Sequence, residues 1–95
     1  MSVWEMRKIG ELPKEMQMGM TYKVLEDSKK LSGREGYLAK EVYYLLNLVN
    51  PKIRFSPTQV YMNLYWLEKE NLIVSKDVDS GPMKGKLMFS VVKNV

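Results

Sequence analysis

Apolar residues recur at helical spacing in the first third of the chain. A helix is predicted from Lys14 to Lys30, and Pro13 suits its first turn. Its apolar side chains fall on two nearly opposite faces, with Met16, Met20 and Val24 on one and Met18, Tyr22 and Leu25 on the other. Gly19 leaves open a later start, at Met20. A helix that is apolar on two sides needs two surfaces to pack against, which are the core and either an N-terminal arm or a second subunit.

Two further helices are predicted in the middle of the chain. The second ends near Asn50, because the proline after it disfavours a helical conformation. The third begins at Ser56, a capping residue followed by a proline that fits the first helical position, and Asn71 can adopt the left-handed conformation that ends a helix. Residues 52–55 form a tight connector between the two helices. Apolar residues at helical spacing support both: Leu38, Val42, Leu45, Leu46 and Val49 in the second, and Val60, Leu64 and Leu67 in the third.

The last quarter of the chain predicts a β-hairpin. Leu72 to Val74 begins a strand, Asp79 to Pro82 forms a turn, and Lys86 to Lys93 returns as a second strand with alternating apolar residues. Tyr37 and Leu38 are compatible with a very short strand. The first twelve residues mix apolar and charged side chains and fit either a short helix or an extended arm.

The 95 residues are enough for one domain with a modest core. The predicted fold class is α+β. The predicted organisation is a single domain over residues 1–95, with an N-terminal arm or helix at 1–13, a three-helix core at 14–71 and a two-stranded hairpin at 72–93.

Composition excludes several kinds of chemistry. The sequence contains no cysteine and no histidine, which removes disulfides, thiol nucleophiles, the Ser-His-Asp triad and nearly all zinc sites. The acidic residues are scattered, and the glycines at 33 and 36 lack the neighbours of a phosphate loop. We therefore expect no enzyme activity, no metal and no cofactor, and the sequence indicates no particular effector ligand. No apolar run reaches the roughly 18 residues of a membrane span, and the N-terminus does not resemble a signal peptide, so we expect a cytoplasmic protein without a membrane partner.

The net charge of +4 lies mainly in the second half of the chain. Residues 1–50 carry eight basic and seven acidic groups, whereas residues 51–95 carry seven and four. The segment from Phe55 to Leu67 has no charged residue at all. A basic excess of this size favours an anionic partner, although it is also common as simple solubility charge.

The segment from Ser56 to Ile73 resembles the recognition helix of winged-helix transcription regulators, with the MarR-like and PadR-like groups closest in pattern. The shared features are a capped helix, leucines three residues apart at Leu64 and Leu67, a charged tail, and a Leu72-Ile73 pair that enters the wing. The resemblance extends over about residues 20–92, and small regulators of this size are common in archaea and their viruses. It implies a winged helix-turn-helix fold, binding of double-stranded DNA and a homodimer.

In that fold the third helix, residues 57–70, enters the major groove, which is about 12 Å wide and accepts one α-helix. With Val60, Leu64 and Leu67 turned inward, the helical wheel places Thr58, Met62 and Tyr65 outward. The wing then reaches the adjacent backbone or minor groove. The candidate residues are Thr58, Gln59, Tyr61, Met62 and Tyr65 for base readout; Lys52, Arg54, Ser56, Lys69, Lys84 and Lys86 for phosphates; and Trp4, Met16, Met18 and Tyr22 for the dimer interface.

Two features depart from the pattern of such regulators. The outer face of the third helix is neutral and aromatic up to Lys69, and the wing carries Asp77 and Asp79, which repel phosphate. An alternative is therefore a protein-interaction module that uses Met62, Tyr65 and Trp66 of the same face, unless Trp66 packs under the wing.

Overall fold

The computed structural model describes residues 7–8, 12–82 and 84–92. Its elements, in chain order, are β1 (Arg7–Lys8), α1 (Lys14–Ser32), β2 (Tyr37–Leu38), α2 (Ala39–Val49), β3 (Ile53–Arg54), α3 (Pro57–Lys69), β4 (Ile73–Asp77) and β5 (Leu87–Val91). The α+β class and the three helices are confirmed.

Helix α1 begins at Lys14, so Gly19 lies inside it and the later start is wrong. The helix ends at Ser32 and is capped by Gly33, which has φ 72° and donates its N–H to the carbonyl of Lys29. This left-handed conformation favours glycine because it carries no Cβ.

The prediction of two opposite apolar faces on α1 is only partly correct. Its fully buried residues are Gln17, Thr21, Val24 and Leu25. The polar pair therefore lies on the core-facing side, and Met18, Met20 and Tyr22 pack partly buried against the core beside it.

Helix α2 ends at Val49 with Asn50 as its capping residue, which confirms the predicted stop near Asn50, and Glu41 stabilises its first turn. A carboxylate oxygen of Glu41 accepts the N–H of Leu38 at 2.9 Å, and both its oxygens accept hydrogen bonds from Arg34 at 2.7 and 2.9 Å. These bonds stabilise the turn between α1 and α2, because the same carboxylate accepts the free N–H of Leu38 at the start of α2 and pairs with the charge of Arg34.

Helix α3 starts where the sequence indicates and stops within one residue of the predicted boundary. The Ser56 hydroxyl accepts the N–H of Gln59 at 3.2 Å, and Pro57 occupies the first turn. Asn71 follows the helix with φ 61°, which confirms the predicted left-handed stop. The helix itself ends at Lys69, one residue before the predicted boundary.

The hairpin of β4 and β5 belongs to a three-stranded antiparallel sheet of order β2-β5-β4, not to a two-stranded one. Tyr37 pairs with Phe89 and Leu38 with Met88, so β2, directly before α2, is hydrogen-bonded to β5, the second strand of the hairpin. On the other side, Ser75 donates a 2.6 Å hydrogen bond to Glu68 at the end of α3. The base of the hairpin is thus secured to two helices.

The N-terminal segment is extended where the structure describes it. Arg7 and Lys8 pair in parallel with Ile53 and Arg54, the residues between α2 and α3. The predicted connector is therefore also a short strand, and Phe55 at its end is 1% exposed.

One apolar cluster joins the three helices to the sheet. Its members are Val24, Leu25, Tyr37, Ala39, Val42, Leu46, Phe55, Val60, Leu64, Leu67, Ile73 and Phe89. Because α3 contributes Val60, Leu64 and Leu67 to this cluster, its opposite face is left outside the core.

A chain of polar side chains, buried at Gln17, Thr21 and Asn63, links α1 to α3. Asn63 donates to the Thr21 hydroxyl at 3.1 Å, and Thr21 donates to the Gln17 carbonyl at 2.9 Å. Gln59 donates to the Gln17 side-chain oxygen at 2.6 Å and, more weakly, to Asn63 at 3.3 Å. We call these four residues the polar ladder. Among the described residues, every buried side-chain nitrogen and oxygen has a partner, so the ladder is fully satisfied.

Candidate nucleic-acid interface

The outer face of α3 is exposed along its whole length. Tyr61 is 58% exposed, Met62 41% and Tyr65 53%, and Thr58 is also exposed. Lys69 lies at the end of this face, with its Nζ 5.4 Å from the centroid of the Tyr65 ring. The face therefore offers hydroxyls, a thioether and aromatic rings, with one cation at its C-terminal end.

Gln59 differs from these exposed residues, because its side chain is held by hydrogen bonds within the protein. Its side-chain nitrogen donates to Gln17 and Asn63 within the polar ladder, and the residue is half-buried. An amide that already donates to two partners cannot also make the bidentate contact to adenine without breaking them. We therefore assign Gln59 to the packing of α3 against α1 rather than to base readout.

Trp66 is half-buried beside the start of α1. The Nζ of Lys14 lies 5.0 Å from the centroid of its ring, which is within the range of a cation–π contact. Trp66, in the C-terminal half of α3, is therefore in contact with the first residue of α1.

The basic residues predicted to contact phosphates are all exposed. Lys52 and Arg54 precede α3, and Lys84 and Lys86 lie in and after the turn of the hairpin. Ser56 is exposed as well, but its hydroxyl oxygen accepts the capping bond from Gln59, so it retains mainly its O–H for a further partner.

Lys40 is a candidate that sequence reasoning missed. It is exposed in the first turn of α2 and lines two adjoining clefts, one toward α3 and one toward the hairpin. The only sequence signal that could have indicated Lys40 is its position in the first turn of the second helix, two residues after Leu38. Its closeness to Tyr61 and Lys86 follows from the hairpin folding back onto α2.

The carboxylate nearest along the chain to Lys40 is already paired. Hydrogen bonds from Arg34 hold the pKa of Glu41 below its usual range, and the same bonds raise the pKa of Arg34. Glu41 therefore stays ionised, and its carboxylate oxygens accept hydrogen bonds from Arg34 and Leu38.

The predicted dimer residues have different surroundings. Met16 is 51% exposed, whereas Met18 and Tyr22 are half-buried and line a shallow cleft of about 260 Å³ that also includes the exposed Leu72. Trp4 lies outside the described residues.

A larger apolar groove, which the sequence did not predict, runs between α1 and α2. It has a volume of about 500 Å³ and is bordered by exposed Leu31, Leu48 and Val49. Leu31 is 89% exposed and Leu48 is 74% exposed, so the groove has strongly apolar rims in open solvent. Such a patch is more often a contact surface than a neutral part of a monomer.

No helix within residues 12–82 and 84–92 is long and apolar enough to cross a bilayer. In the same part of the chain, no three acidic side chains come together as metal ligands.

The fold and this surface define a small α+β protein with three helices, a three-stranded antiparallel sheet and one helix whose outer face is open. No protein-family model and no curated protein matches the sequence. The chain is similar in structure to Pex from Synechococcus sp., with a TM-score of 0.54 and 22% sequence identity over 90% of this chain and 68% of that one. At this identity the likeness shows a shared fold alone.

Proposed function

We propose that this protein is a winged-helix transcription regulator that binds double-stranded DNA, with α3 as its recognition helix and the β4–β5 hairpin as its wing. The observation that carries the proposal is the division of α3 into two faces. Val60, Leu64 and Leu67 are at most 1% exposed, whereas the opposite face is open to solvent. A helix held from behind with a free outer face has the form that a major groove accepts.

Base readout in this proposal belongs to Thr58, Tyr61, Met62 and Tyr65. The methyl groups of threonine and methionine suit the thymine methyl, and the tyrosine hydroxyls can bond to phosphates or base edges. The exposure of all four side chains supports the assignment.

Affinity comes from the surrounding cations in this proposal. Lys52 and Arg54 stand before α3, Lys69 at its end, and Lys84 and Lys86 on the hairpin. Each phosphate neutralised by such a residue releases condensed counterions, so binding weakens steeply with salt.

We further propose a homodimer, which places two copies of α3 in successive major grooves about 34–36 Å apart. Met16, Met18 and Tyr22 on α1 are the proposed contact residues within the described chain. The proposal involves no catalytic step and places the protein in the cytoplasm with its DNA.

The test is a titration of selected and random duplexes at several salt concentrations. Arg54→Ala is expected to weaken binding to all sequences and to reduce the salt slope by about one unit. Lys30→Ala, at an exposed position on α1, is the matched charge control and is expected to leave the slope unchanged. If both variants behave alike, Arg54 does not contact phosphate.

Base readout is tested separately, after selection of bound duplexes from a random pool. Thr58→Ala is expected to relax preference at one base position by about 1 kcal/mol, the size of one lost methyl contact, while keeping affinity for random duplex. An unchanged preference for the selected sequence would contradict the proposed contact between Thr58 and a base in the major groove.

A second candidate function is a protein-interaction module. It is favoured by the uncharged character of the exposed patch formed by Tyr61, Met62 and Tyr65, because such patches are enriched at protein contacts. Absence of any shift of random duplex at low salt, together with a stable protein partner lost on Met62→Lys, would favour this function over DNA binding.

A further inference from the structure

Two clefts adjoin at the beginning of α2 and α3. They share Ala39, Lys40 and Tyr61. The first cleft, of about 280 Å³, continues past Tyr43 and Tyr44, and the second, of about 360 Å³, continues to Lys86 at the hairpin. We call this continuous surface the tyrosine track.

The track exposes aromatic rings to solvent. Tyr44 is 67% exposed and Tyr61 is 58% exposed, so large parts of both rings are uncovered. The rings of Tyr43 and Tyr44 meet edge to face, with centroids 5.7 Å apart and planes at 62°. This contact restrains the ring of Tyr44 on one side, which lowers the cost of ordering the ring when a ligand stacks on its free face.

The charges of the track fit an anion that carries a planar ring. Lys40 lies where the two clefts meet and Lys86 lies at the far end, and both are exposed. Aromatic rings interleaved with lysines are the combination that binds single-stranded nucleic acid, because every base has a face to stack and every nucleotide a phosphate. The volumes lie near the lower end of small-ligand sites, which suits single nucleotides rather than a protein helix.

We propose that the tyrosine track binds unpaired nucleotides of a single DNA strand, with bases on Tyr44 and Tyr61 and phosphates at Lys40 and Lys86. Bases inside a duplex are stacked on one another, so the faces of these rings gain a stacking partner only where the strands are separated, whereas the duplex contact proposed for Tyr61 uses its hydroxyl. The inference rests on the proposed DNA-binding function and extends it to locally melted DNA.

The experiment measures binding of a 12-nucleotide single strand that contains 2-aminopurine, whose fluorescence falls when the base stacks. The wild-type protein is expected to quench the probe. Tyr44→Leu is expected to weaken binding of the strand about fivefold or more, with reduced quenching, and to leave duplex affinity unchanged. Tyr65→Leu is the matched control, because Tyr65 is 53% exposed on α3 but borders neither cleft.

The two proposals fail in different ways. If neither strand nor duplex binds, the DNA-binding function fails and the inference falls with it. Duplex binding without quenching of the single strand, or equal effects of Tyr44→Leu and Tyr65→Leu on the strand, overturns the inference alone. Competition by free deoxyadenosine monophosphate at the same concentration as the strand also overturns it, since the ligand would then be a free nucleotide.

Discussion

Replacing Thr21 with valine removes a hydroxyl that links α1 to the buried side of α3. Thr21 is fully buried, and its oxygen accepts the side-chain N–H of Asn63 at 3.1 Å. Valine has nearly the same shape, so the change leaves little cavity but deprives a fully buried amide of its partner. An unsatisfied buried donor costs about 1–3 kcal/mol. We therefore expect Thr21→Val to lower the free energy of unfolding by that amount and the melting temperature by about 4 °C or more.

The double variant Thr21→Val with Asn63→Leu tests the reasoning behind this estimate. When both partners become apolar, no unsatisfied donor remains between them, so the double variant is expected to lose less stability than the sum of the single variants, by about 0.5 kcal/mol or more. Urea unfolding of the four proteins measures this coupling, and Thr58→Val serves as an exposed control, expected within about 0.5 kcal/mol of wild type. Additive losses, or a Thr21→Val protein as stable as the control, would refute the role assigned to the polar ladder.

Three further predictions concern stability. Leu64→Ala removes a fully buried side chain of α3 and is expected to cost about 2–5 kcal/mol, measured by urea unfolding. Glu41→Gln removes the charge paired with Arg34. Since the folded pKa of Glu41 is lowered, the wild type begins to lose this contribution as pH falls below the unfolded value of about 4.3, and thermal melts of the two proteins should converge only once pH is below the lowered folded pKa. Gly33→Ala forces a Cβ into a left-handed conformation with φ 72° and is expected to cost about 1 kcal/mol, whereas Gly19→Ala inside α1 should not destabilise.

Local signals in the sequence were enough to predict the three helices and the hairpin. The boundaries of α3 follow from two local signals, the capping Ser56, which accepts the N–H of Gln59, and Asn71, which has a left-handed φ of 61°. The inward and outward faces of α3 follow from helical periodicity, since a helix with one apolar stripe has one way to face a core.

The polar ladder was not predicted, because its members look like solvent-exposed residues on each helix taken alone. Gln17 and Thr21 are four residues apart, as are Gln59 and Asn63, so each pair forms a polar stripe on one helix face. Only the packing of α1 against α3, which joins residues 42 positions apart, turns the two stripes toward each other. Two polar stripes of matched spacing are therefore a signal for a paired interface.

The surroundings of Lys40 and the third strand of the sheet could not be predicted either, because both depend on contacts with distant parts of the chain. Tyr37 and Leu38 are too few to specify a strand by alternation, and their pairing with β5 brings together residues about 50 positions apart. The groove bordered by Leu31 and Leu48 was not predicted, because Leu31 lies beyond the predicted end of the first helix and Leu48 lies outside the apolar periodicity of the second.

The attachment of the hairpin at its base also bears on how this protein can diversify. Because Tyr37 and Leu38 hold β5 and Glu68 holds β4, the helices constrain the base, while residues 79–82 and 84–86 are all exposed beyond it. Exposed tips accept insertions and altered charge more readily than the elements that carry them. Descendants of this sequence can therefore lengthen or recharge the tip in small evolutionary steps while the architecture beneath it stays the same.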